Sequence, residues 1–112
     1  MAELPRGLHR GDVWDADLPD NIGRHHAVLL SRDVAMARRH RAVVVLVTSN
    51  VLGKRTEVAV GPEEGLDYDC VIDADDLYTL STGRLLRRRG ALGSDKLAAL
   101  EAALHIALGL RS

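Results

Sequence analysis

The run Ala42-Val43-Val44-Val45-Leu46-Val47 constrains the fold more than any other stretch, because an unbroken β-branched apolar run reads as a strand buried on both faces. It ends in Thr48-Ser49-Asn50, where a rigid buried element holds hydroxyl and amide groups in place. The rest of the chain must pair with this strand or pack on it. From Asp12 to Leu18 the residues alternate, with Val13, Asp15 and Asp17 on one face and Asp12, Trp14, Ala16 and Leu18 on the other, Trp14 toward the core. Pro19-Asp20-Asn21-Ile22-Gly23 is dense in turn chemistry, so the chain reverses and the first strand pairs antiparallel with Ala27–Ser31. Between turn and strand, Arg24-His25-His26 runs directly into the apolar residues. This places a titratable cluster at a strand mouth, with His25 and His26 on opposite faces wherever the strand includes them.

Asp33 to Arg41 predicts a short helix with a basic outer face and Asp33 as its cap. Thr56–Val60 alternates as a strand, and Gly61-Pro62-Glu63-Glu64-Gly65 reads as an exposed acidic loop. Cys70–Ile72 is a short strand followed by Asp73, Asp75 and Asp76, which lack the glycine and distal glutamate of a calcium loop and read as solvated or partner-facing acids. Ser81-Thr82-Gly83-Arg84 suits a short helical turn, and Arg87–Leu92 a last or edge strand. The clearest helix begins at Ser94 as N-cap, carries the stripe Leu97, Leu100, Leu104, Ala107 and Leu108, leaves His105 on the surface and stops at Gly109. Short strands followed by one good helix predict an α+β domain, a small barrel-like or strongly bent antiparallel sheet carrying a helix. A chain of 112 residues fits one such domain, residues 10–112, behind a flexible tail of residues 1–9 broken by Pro5 and Gly7.

Composition narrows the function. A formal net charge of −1 argues against the strongly basic class of nucleic-acid binder. The charges are nonetheless in blocks, basic at Arg38–Arg41, Lys54-Arg55 and Arg87–Arg89 and acidic from Glu63 to Asp76. With no Phe and only Trp14, Tyr68 and Tyr78, a platform of stacked aromatics is a poor fit. The lone Cys70 has no disulfide partner, and its acidic neighbours Asp69 and Asp73 would raise its pKa, against a reactive nucleophile. No run reaches membrane-span or signal-peptide length, so the expectation is a cytoplasmic protein without a membrane partner.

Several separated pieces are together similar to one family. Arg10-Gly11-Asp12-Val13-Trp14, Ala27–Asp33, Val43–Val47 with Thr48-Ser49-Asn50, Thr56-Glu57-Val58, Cys70-Val71-Ile72, Arg84-Leu85 and Ala107–Leu110 resemble, in order, the MazF/PemK toxins. The resemblance implies an SH3-like barrel with a C-terminal helix, usually a homodimer, acting as the toxin half of a type II toxin–antitoxin pair. It further implies a metal-independent, cofactor-free endoribonuclease that cuts single-stranded RNA, mRNA included, at short sequences and is held by a cognate antitoxin. The family has Arg-Pro before its second strand and a Thr after its third. Thr48 matches the Thr, whereas His25-His26 stand where the family keeps Arg-Pro, with Arg24 one residue earlier.

Cleaving RNA without metal needs proton transfer from the 2′-hydroxyl and to the leaving oxygen, and cations or donors for phosphorane charge. Histidine, with an ordinary pKa of about 6.5, suits the proton transfers. The expected catalytic set is therefore Arg24, His25 and Thr48, with Ser49, Asn50, Lys54 and Arg55 contacting RNA and His26 a partly buried structural residue. The alternative is a CcdB-like or catalytically impaired toxin acting by binding gyrase, RNA or antitoxin without cutting.

Overall fold

The computed structural model describes residues 7–111. Its elements are β1 (Asp12–Leu18), β2 (Gly23–Leu29), α1 (Asp33–Arg39), β3 (Arg41–Thr48), β4 (Glu57–Val60), β5 (Cys70–Ser81), β6 (Leu85–Ala91) and α2 (Ser94–Leu108). The strands form one antiparallel sheet in the order β4-β5-β3-β2-β1-β6. Irregularities curl it into a half-barrel. Between Val45↔Leu77 and Leu46↔Asp73 the β3–β5 register jumps, so β5 carries extra residues, and two further shifts interrupt β1–β6.

Both faces are buried along most of β1, over Ala27–Leu29 of β2 and over Val44–Val47 of β3. On one side Val13, Val28, Val45, Val47 and Ile72 pack against Leu100 and Ala103 of α2. On the other, Trp14, Ala16, Leu29, Val44 and Leu46 pack against Met36 of α1. This is the α+β sheet-plus-helix architecture expected from the sequence, with Trp14 in the core.

Several local expectations are corrected. The tail expected over residues 1–9 lies, for residues 1–6, outside the described residues, but Leu8 packs on the second cluster and His9 is clasped. Asp33 does not cap α1; its carboxylate accepts from the His9 ring at 2.6 Å and from the Arg10 N–H at 2.8 Å. That helix stops at Arg39 rather than Arg41 because His40 turns left-handed at φ 53°. Of Gly61–Gly65, expected as an exposed loop, Pro62 and Glu63 are exposed but Gly61 and Glu64 are buried. Pro62–Glu64 form a 3₁₀ turn, and Glu64 is buried with its carboxylate accepting from the Gly61 N–H at 2.7 Å. The strand expected over Cys70–Ile72 does not stop at the acids but continues through them as β5. Its acids are not all solvated: the Lys54 ammonium donates to both oxygens of Asp73 at 3.0 and 3.1 Å and to Asp75 at 3.2 Å, and the Thr56 hydroxyl donates to Asp75 at 2.8 Å. Gly93, not Ser94, stands at the cap of α2, and Leu108 is exposed, so the buried stripe is narrower than predicted. Gly109 ends the helix at φ 64°, as expected.

Candidate active site

The site begins with a turn. Asp20 and Asn21 both take positive φ, 59° and 63°, and the Ile22 N–H donates to the Pro19 carbonyl at 3.2 Å, the two-residue primed turn that suits strand twist. So short a reversal starts β2 at Gly23. Arg24, His25 and His26 therefore lie inside the strand rather than at its mouth, opposite Asp17, Ala16 and Asp15 respectively.

The ladder between β2 and β3 runs only from Leu29↔Val44 to Ala27↔Leu46. Beyond it β2 stays on β1 and β3 stays on β5, and the strands part. The gap is a cleft of about 430 Å³ lined by Asp15, Arg24, His25, His26, Val47, Thr48, Ser49, Tyr68, Cys70 and Arg89. The opening lies between separating strands rather than on one face of the sheet, so residues of both parities border it. Hence His25 and His26 both line it, against the expectation that alternation would exclude one.

Of the residues singled out from the sequence, Arg24, His25, Thr48 and Ser49 are brought together here. The β2–β3 count carried two residues past Ala27↔Leu46 sets His25 level with Thr48. The Thr48 hydroxyl oxygen accepts from the Asn50 N–H at 3.1 Å, which fixes it while leaving its own proton to donate. Asn50 itself lies outside the cleft lining and touches the site through this N–H. Lys54 and Arg55 lie outside the lining, and the Lys54 charge is engaged by Asp73 and Asp75, whose hydrogen bonds raise its pKa. Asp17, across from Arg24, is engaged by Arg84 at 3.6 Å.

The structure adds residues that sequence reasoning missed. The His26 ring nitrogen Nδ1 lies 2.6 Å from an Asp15 oxygen, and Arg89 of β6 grips the same carboxylate with Nε at 3.0 Å from both oxygens and a terminal nitrogen at 2.9 Å. All three side chains are largely buried, at 29%, 21% and 20% exposure. Burial pushes the Asp15 carboxyl up, but the hydrogen bonds from Arg89 and His26 outweigh it and hold the group below the usual carboxylate range. Its alternation with Val13, and a turn of known length, were the signals that could have placed Asp15 beside His26. Nothing in Arg87-Arg88-Arg89 says which arginine turns inward. Cys70 is buried, and burial first, then Asp69 and Glu64, pushes its thiol up, away from nucleophilic use; Glu64 takes the part expected of Asp73. Among the described residues no three His, Cys, Asp or Glu side chains converge as a metal site, and no helix is long and apolar enough to cross a membrane.

A depressed carboxyl stabilises the fold above its unfolded pKa of about 3.9, and that contribution is lost as the pH falls through the lower folded value. Thermal melts from pH 7 to pH 2 should therefore show Asp15→Asn less stable than the parent at neutral pH, with the difference shrinking below about pH 4. A constant difference would contradict the ionic role of Asp15.

The PemK-like, MazF-like toxin family of type II toxin–antitoxin systems matches residues 9–108. The chain is 32% identical over 109 residues to the probable endoribonuclease MazF5 of Mycobacterium tuberculosis, covering 96% of each chain. It is also 32% identical over 117 residues to the endoribonuclease MazF9 of the same organism, covering 94% of this chain and 99% of that one. Among solved structures it superposes with a TM-score of 0.85 and 26% identity on a mycobacterial endoribonuclease in complex with its cognate antitoxin, covering 95% and 99% of the two chains. A curled antiparallel sheet with a C-terminal helix, and a match spanning nearly all of the chain in both sequence and fold, have one reading: the chain belongs to the PemK/MazF-like toxin family of type II toxin–antitoxin systems.

Proposed function

We propose that this toxin is a metal-independent endoribonuclease that cuts single-stranded RNA in the cytoplasm by attack of the 2′-hydroxyl on the adjacent phosphate. It acts as a homodimer and is restrained by a cognate antitoxin. The observation that carries this reading is a single cleft holding a guanidinium, an imidazole and a hydroxyl, from Arg24, His25 and Thr48. Arg24 neutralises the phosphate, and with Asp17 engaged by Arg84 its charge is available to an anion. Thr48 donates its hydroxyl proton to a phosphoryl oxygen, and Ser49 adds a polar contact beside it. His25, level with Thr48, transfers a proton. The endoribonuclease names of the relatives and the antitoxin bound to a structural neighbour support the same activity and partner.

Purified protein incubated with single-stranded RNA and a chelator between pH 5 and pH 9 should yield 2′,3′-cyclic phosphate and 5′-hydroxyl ends. Absence of cleavage across that range, with RNA or antitoxin still bound, would replace this reading by a toxin that acts through binding alone.

A further inference from the structure

Transfer of RNA to a cyclic phosphate moves two protons, one off the 2′-oxygen and one onto the departing 5′-oxygen, so a single imidazole leaves one of them unserved. We infer that His26 is the general base of the cleft, with Asp15 and Arg89 as its positioning residues. The inference rests on the endoribonuclease reading above and names a further residue of that site.

The geometry supports the assignment at each atom. An ionised carboxylate only accepts hydrogen bonds, so at 2.6 Å from Asp15 the His26 Nδ1 carries the proton. In the neutral ring the lone pair is then on Nε2. Among the described residues Nε2 has no hydrogen-bond partner and is not among the buried unpaired side-chain atoms, of which Trp14 Nε1 is the one, so Nε2 is open to solvent in a residue that lines the cleft. Arg89 keeps the carboxylate from swinging away by holding both oxygens. This is the arrangement in which a buried acid fixes the tautomer and direction of an imidazole that works at its other nitrogen. The remaining titratable or charged groups around the cleft are Arg24, His25, Tyr68 and Cys70. None of them is hydrogen-bonded to the His26 ring.

The step balances. As O2′ forms its bond to phosphorus, its proton passes to His26 Nε2. The P–O5′ bond breaks with its electron pair on O5′, which takes a proton from the His25 imidazolium. Exchange with water then returns His26 to neutral and His25 to its cation.

The test uses the full chain, single-stranded RNA and a chelator, with kcat and KM followed from pH 5 to pH 9. For His26→Gln the expected result is a fall in kcat of about 10²-fold or more, KM within a few-fold of the parent, and loss of the limb of the profile that rises from acid pH. Asp15→Asn keeps the ring but removes the anion that orients it, so kcat should fall while KM stays within a few-fold of the parent. Nitrogen chemical shifts of the His26 ring should report the Nδ1–H tautomer in the parent and its loss in Asp15→Asn. In His26→Ala, added imidazole should restore part of the activity. Cleavage by the parent that persists in His26→Gln with an intact acid limb would overturn the inference and leave the endoribonuclease reading standing. No cleavage by the parent would remove both. Should the His26 variants fail to fold, an unchanged kcat and unchanged tautomer in Asp15→Asn would overturn the inference by themselves.

Discussion

Gly65→Ala is expected to destabilise the protein by about 3 kcal/mol or more and to lower its melting temperature by more than about 10 °C. Gly65 sits at φ 92°, and a methyl group there would lie 2.1 Å from the Arg89 carbonyl oxygen. Gly90 faces it from β6, where a methyl would lie 2.5 Å from the Glu64 carbonyl oxygen. Both obstacles are main chain, so no rotamer relieves them and the 3₁₀ turn must lift off the strand. The displaced strand residue is Arg89, which grips Asp15. Loss of stability should therefore bring loss of cleavage even under conditions where the variant remains folded. Gly23 offers the comparison: its φ is 87° but nothing lies within 4 Å of an added methyl, so Gly23→Ala should carry only the backbone strain, about 1 kcal/mol. Denaturant unfolding of the two variants separates close approach from conformational strain. Equal costs would show that the Gly65–Gly90 contact contributes nothing.

Arg24→Ala is the substitution with the largest expected effect on chemistry alone, a drop in kcat of about 10² to 10³-fold. The side chain is exposed, and Asp17 across the ladder is engaged by Arg84, so stability should change by less than about 0.5 kcal/mol. Arg24→Lys keeps the charge without the planar fork and should recover only part of the rate. Thr48→Val, isosteric but without a donor, should cost about tenfold or more. Full activity in Arg24→Ala would show that phosphate charge is met elsewhere in the cleft.

What could be read from the residues was the sheet and much of its pairing. The run Ala42–Val47, the alternation of Asp12–Leu18 and the turn at Asp20-Asn21 each act through local rules, and each appears where expected. Thr48 and Ser49 were legible as cleft residues for the same reason, since they follow a buried strand directly. The Asp15–Arg89 contact was not, because it joins residues 74 positions apart and depends on bulges between β1 and β6 that no local pattern encodes. Lys54 misled for a related reason. Its acidic partners Asp73 and Asp75 lie 19 and 21 residues away, and a lysine read by itself looks available to RNA.

The burial of β1 and β2 on both faces bears on how this cleft could change its chemistry. Where only one face is apolar, a slip of one residue turns the core outward and is strongly opposed. Here Val13, Trp14, Ala27, Val28 and Leu29 are apolar to either side, so hydrophobic pattern does little to forbid a slip, and the short turn carries the register. Shortening that connection by a single residue, so that Leu18 faced Ile22, would bring His25, instead of His26, opposite Asp15. Two adjacent histidines in such a strand are interchangeable parts, and loop length is the variable that selects between them.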